Sequence, residues 1–146
     1  MERGNVDIMR EIKFRAWFKG NEDLKPMMCD VVAISKTSDQ YDTFTLDSQE
    51  LTAYGGRLAV PVYRIYTEEN TCEIMEFTGL HDKNGKEIYE GDIVIKHGTD
   101  YDSNTWRGEK RVVVYDNGSW YPVAHCYFDV RLIEVVGNIY ENPELL

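Results

Sequence analysis

Glu73-Ile74-Met75-Glu76-Phe77-Thr78-Gly79-Leu80-His81-Asp82-Lys83-Asn84-Gly85-Lys86-Glu87-Ile88-Tyr89-Glu90-Gly91-Asp92-Ile93-Val94-Ile95 is the stretch from which the fold is read. Its first eight residues alternate with a period near two, so a strand here turns Ile74 to one face and Met75 and Phe77 to the other. Asp82-Lys83-Asn84-Gly85 supplies turn chemistry, and residues 86–89 resume the chain as a second short strand. A bend at Glu90-Gly91-Asp92 then leads into a third, Ile93-Val94-Ile95. Short strands joined by such tight signals predict antiparallel neighbours, because parallel strands need a crossover of a dozen residues or more.

The same grammar extends in both directions. Downstream, residues 98–108 interrupt the pattern, and residues 111–115 read as a strand. Asp116-Asn117-Gly118-Ser119 then predicts a tight hairpin returning through Trp120-Tyr121. Residues 131–136 form the last patterned segment, and Pro143 favours a terminal turn. Upstream, residues 12–17 alternate apolar and basic side chains, with Ile12, Phe14 and Ala16 as the core face and Lys13 and Arg15 on a solvated one. Pro26 marks the entrance to an apolar segment at residues 27–34. Residues 35–56 turn polar and predict a long connection holding a short strand or a helical turn, and residues 62–66 predict another strand.

The fold class expected is therefore mainly β: twisted antiparallel sheets or a partly open small β-barrel, with long loops. Residues 9–146 read as one domain built of N-terminal and C-terminal β subdomains. Residues 1–8 read as an N-terminal extension, since Met9 immediately precedes the first patterned element.

Composition narrows the function. The 146 residues carry 26 acidic against 16 basic side chains, a formal net charge of −10. That balance disfavours nonspecific binding to phosphate backbones, which draws its affinity from displaced counterions. Cys29, Cys72 and Cys126 are an odd count at wide spacing, matching neither a disulfide framework nor a zinc knuckle, and read as buried thiols. No apolar run approaches the roughly 20 residues that cross a bilayer. The expected location is the cytoplasm, with no membrane partner.

The candidate chemistry is sparse. Glu87, Glu90 and Asp92 are close in sequence, but the simplest reading is a solvated turn. His81, His97 and His125 follow no metal-ligand spacing, and the neighbours His125 and Cys126 point to opposite sides of an extended chain. Gly55-Gly56-Arg57 is too short for a phosphate cradle. No catalytic, cofactor-binding or metal-binding residue is assigned. Tyr101, Trp106, Trp120 and Tyr121, in or beside loops, form the candidate protein-binding group, because exposed aromatic side chains anchor interfaces.

Three segments carry a family resemblance. Residues 9–17, MREIKFRAW, resemble the opening of the YopX-like family of phage and prophage proteins. Residues 77–94, FTGLHDKNGKEIYEGDIV, resemble its central signature, and residues 135–146, VVGNIYENPELL, its ending. The resemblance implies a phage or prophage accessory protein and supplies neither catalytic residues nor a cofactor. The function expected is a noncatalytic protein-binding or self-assembly module, whose partner is a phage or bacterial host protein or a second copy of the chain. The alternatives are a nucleic-acid-associated or DNA-mimicking accessory protein, and an unrecognised small-molecule-binding protein or enzyme.

Overall fold

Strands make up nearly all the regular structure of residues 11–65, 67–98, 106, 108–124 and 129–146, the residues described in this computed structural model. β1 (Phe14–Phe18) lies between β2 (Met27–Lys36) and β5 (Cys72–His81) and pairs antiparallel with both. With β3 (Tyr41–Asp47), β4 (Arg57–Tyr63) and β6 (Glu87–Tyr89) they form one sheet, in the order β4-β3-β2-β1-β5-β6. The alternation in β1 has the expected phase but is displaced along the chain. Ala16 and Phe18 are buried, whereas Ile12 lies before the strand and is 72% exposed. Their register partners Cys29, Met27 and Cys72 join Leu46, Leu51 and Val60 in one apolar cluster. Burial pushes the Cys29 thiol up to about 11 and the Cys72 thiol up to about 12, so both stay protonated at neutral pH. Cys126 lies outside the described residues.

The long connection expected at residues 35–56, with a short strand or a helical turn, holds both, and its strand is a full member of the sheet. β3 pairs with β4 from Tyr41↔Tyr63 to Asp47↔Arg57 and also continues the pairing of β2, and a 3-10 turn follows at Thr52–Tyr54. Phe44 and Leu46 supply its apolar face, while Thr43 and Thr45 lie on the alternate face. β4 also begins and ends earlier than the strand expected at residues 62–66. Pro61 fits there because β4 is the outermost strand of its sheet.

A second sheet has the order β11-β7-β8, from β7 (Asp92–Lys96), β8 (Arg111–Val112) and β11 (Ile133–Asn138). The strand expected at residues 111–115 breaks at Val113, whose N–H donates to Asp92 O and whose carbonyl accepts from Gly91 N. Beyond the break, β9 (Val114–Asp116) and β10 (Ser119–Tyr121) form the predicted hairpin, with Asn117 at φ 49° and Gly118 at φ 78°. Two consecutive positive φ angles are what a two-residue hairpin turn requires. Ile88, Val94, Trp106, Val113, Trp120, Val123, Ile133 and Val135 make a second apolar cluster. The sheets remain separate and antiparallel, and the described strands do not close into a barrel. Among the described residues, no helix is long and apolar enough to cross a membrane.

The turn between β5 and β6 links the two clusters. Gly79 sits at φ 83° within β5, where the β5–β6 register shifts, a conformation that costs other residues a Cβ clash. Thr78 spans this irregularity, its hydroxyl donating to Ile88 O at 2.8 Å and accepting from Leu80 N at 3.2 Å. Asp82 then organises the turn. Its Oδ1 accepts from the N–H groups of Asn84 (2.8 Å) and Lys86 (2.9 Å), and its Oδ2 from Val135 N (2.9 Å). Lys83 N donates to Ile133 O, so the turn covers the free edge of β11.

Burial alone would push the Asp82 carboxyl up, but its backbone donors and the nearby Lys86 charge outweigh burial and hold it below the usual carboxylate range. A carboxyl depressed on folding stabilises the fold above its unfolded value of about 3.9, and that contribution fades as pH falls through the folded value. Asp82→Ala, which strands the Val135 donor, should therefore cost about 3 kcal/mol in urea unfolding at pH 7. Asp82→Asn should lose less stability than wild type as the pH is lowered from about 4 to 2.

Candidate functional site

The charged strand face read as solvated is covered at Arg15, while Lys13 stays partly exposed. Arg15 extends from the opposite side of β1 to Ala16, and its Nη2 lies 2.5 Å from Oδ1 of Asp92 at the start of β7. Asp92 is 1% exposed, which corrects the solvated-turn reading of Glu87, Glu90 and Asp92. The bend at Gly91 brings Asp92 against Arg15 of β1, with Met75 of β5 and Ile139 beside the glycine. Tyr89 N donates to Asp92 Oδ2 at 2.8 Å, and the Arg15 guanidinium sits 4.6 Å from the centre of the Tyr89 ring. Burial pushes the Asp92 carboxyl up, against the pull of Arg15 and of the Tyr89 N–H. Desolvation thus offsets much of the ion-pair attraction, and the contact fixes the relative placement of the strands more than it adds net stability.

Beside this pair, Lys13 Nζ donates to Glu87 Oε1 at 2.6 Å, and Tyr89 Oη donates to Glu87 Oε2 at 2.9 Å. The Lys13 bond is the chief reason the Glu87 carboxyl lies below its ordinary range and the Lys13 ammonium above its own. Glu90 is half-buried, and burial raises its carboxyl. At the far end, the Tyr140 ring stacks on Trp17 at 5.9 Å, and Ile139 N donates to Gly91 O. Asn138 Oδ1 accepts from Tyr140 N and Glu141 N, shaping the terminal turn.

An open cleft of about 840 Å³ adjoins the seam. Lys13, Arg15, Lys86, Glu87 and Tyr89 line one part of it, and Met28, Asp30, Asp47 and Glu50 another. Among the described residues, no group of three or more His, Cys, Asp or Glu side chains is placed to hold a metal ion. His97 Nε2 lies 2.5 Å from Glu134 Oε2, His81 packs edge-on against Phe77, and His125 is outside the described residues.

The four candidate aromatic residues separate. Trp106 is 2% exposed, with Nε1 donating to Glu109 O at 2.7 Å, and Trp120 is 5% exposed; both are core side chains and not a loop patch. Tyr121 reaches solvent, accepts a hydrogen bond from Arg111 Nη1 and lies 5.7 Å from the Arg111 guanidinium. Tyr101 lies outside the described residues. Adjacent strand residues face opposite ways, so Trp120 and Tyr121 cannot both point outward, and period-two reading of β10 separates them. That reading missed Tyr115, which is 59% exposed and packs edge-on against Trp120 at 5.0 Å. Val114, the register partner of Tyr121, is also exposed.

These features define a mainly β protein whose sheets meet across a buried Arg–Asp pair. A family model described as YopX protein matches residues 13–146, and the chain belongs to that family. The crystal structure of protein EF1440 from Enterococcus faecalis is similar, with a TM-score of 0.53 and 25% identity over 94% of this chain and 99% of that one. No curated protein matches.

Removing Arg15 alone should leave the Asp92 charge buried without its partner. Arg15→Met is expected to cost about 3–5 kcal/mol at pH 7, and Arg15→Met combined with Asp92→Asn to recover most of that loss. The single variant should also regain relative stability as pH falls from 7 to 5. A carboxyl raised on folding favours the fold when protonated and loses that contribution as pH climbs through its folded value. Chemical denaturation of wild type, the Arg15→Met and Asp92→Asn single variants and the double variant at both pH values tests the cycle.

Proposed function

We propose that this YopX-family chain is a noncatalytic protein-binding accessory module of phage or prophage origin, acting in the bacterial cytoplasm. Its contact surface is the face of the β9–β10 hairpin that carries Val114 and Tyr121, with Arg111 beside it. The observation that carries this reading is the solvent-reaching Tyr121, held by a hydrogen bond from the largely covered Arg111, on a hairpin whose other face carries the buried Trp120. Tyrosine and arginine are the residue types most often found at interface hot spots, and a side chain already held in place loses little entropy on binding. The family resemblance supports the phage context, and the net charge of −10 favours a protein partner over bare nucleic acid.

Cross-linking mass spectrometry on prophage-induced cells, followed by titration of the purified partner, tests this reading. Tyr121→Ser should weaken a saturable complex about tenfold or more while circular dichroism remains that of wild type. Tyr115→Ser, on the opposite face of the hairpin, should leave the complex largely intact. Unchanged affinity in both variants would overturn the assignment of this surface. Recovery of the chain cross-linked solely to its own copies would favour self-assembly.

A further inference from the structure

The last β1–β2 register pair is Arg15↔Asp30. Beyond it β1 continues with β5 through Phe14↔Glu76, and β2 continues with β3 through Val31↔Leu46. β1 begins at Phe14, and Lys13 O still accepts from Phe77 N, so the chain at residues 13–14 follows β5 while β2 follows β3; Phe14 and Val31, which would have been the next pair, both line the cleft. A gap between two diverging strands has the shape of a missing strand, and an extended polypeptide is the ligand that complements such a gap.

The charges around it are unevenly satisfied. On the β6 side, Lys13 and Tyr89 both bond to Glu87, and Arg15 is held by Asp92. On the β2–β3 side, Asp30 and Glu50 are exposed, and their carboxylates make no hydrogen bond or ion pair with any described residue, although Glu50 N donates to Ser48 Oγ. Their proximity registers on Cys29: after burial, the charges of Glu50, Asp30 and Asp47 are what raise its thiol. Lys13, Arg15 and Glu87 on one wall are thus already paired, with the exposed Lys86 at its rim, and the other wall offers carboxylates to an incoming cation.

We infer that the split between β1 and β2 binds an extended peptide segment carrying a lysine or arginine side chain, whose cationic head is received by Asp30 and Glu50. This surface is separate from the hairpin, so the inference stands or falls independently of the contact proposed there. It assigns the partner a chemistry: an extended basic stretch instead of a folded acidic face.

The test is a ¹⁵N-resolved NMR titration of the full chain with acetyl-Ala-Arg-Ala-Arg-Ala-amide, its Glu counterpart and arginine amide. The expected result is saturable shifts at residues 28–31, 48–50 and 86–89 with the arginine peptide, and weaker or no response to the other two probes. Asp30→Asn with Glu50→Gln should reduce the affinity about tenfold or more while leaving the spectrum otherwise native, since both side chains are exposed. Absence of shifts at the cleft, or equal binding of the Glu peptide, would overturn the inference. Equal binding of arginine amide would overturn the extended-peptide assignment. Shifts confined to residues 114–121 would overturn the cleft while leaving the hairpin surface in place.

Discussion

The buried contact between Arg15 and Asp92 is the constraint on which the arrangement of the chain depends. A largely buried guanidinium on a central strand is tolerated only where a carboxylate arrives with the right geometry. Asp92 arrives at the first residue of β7, directly after the bend that separates it from β6. The same carboxylate holds the Tyr89 backbone through its other oxygen. One side chain thereby fixes how β6 leaves the first sheet and how β7 begins the second. The Trp17–Tyr140 stack and the bond from Ile139 to Gly91 close the same seam from the C-terminal side.

An acidic chain uses its carboxylates here in unlike ways. Asp82 and Asp92 are both almost wholly buried, yet their proton affinities move in opposite directions. Asp82 gathers backbone N–H donors, which favour its charge. Asp92 is more deeply desolvated, and one arginine with one N–H does not fully compensate. Asp30 and Glu50, in contrast, remain exposed at the edge of the cleft. Formal charge alone does not distinguish these roles; the number of donors around each carboxylate does.

Local patterning was enough to read much of the architecture. The period-two run in β5, the turn at residues 82–85 and the Asn117-Gly118 hairpin each depend on neighbouring residues, and each formed where expected. Long-range consequences were harder to read. Polar residues on one face of β3 let the sequence suggest a short strand there but not its pairing with β2 on one side and β4 on the other. Arg15 looked like a solvated cation because its partner lies 77 positions away. Trp106 and Trp120 looked like loop aromatics because nothing local reveals that both fill the second cluster. The candidate surface was legible at Tyr121 alone; its register partner Val114 emerged from strand pairing.

That 77-residue separation has a consequence for synthesis on the ribosome. At about 5–20 residues per second, roughly 4 to 15 seconds pass between translation of Arg15 and of Asp92. Throughout that interval the nascent first sheet can pair its strands but cannot neutralise the cation that its finished form buries. Early strand pairing is therefore compatible with a wet, open face over β1, and drying of that face must await the arrival of β7. The ion pair acts as a checkpoint in time as well as a joint in space, coupling closure of the fold to emergence of its second half.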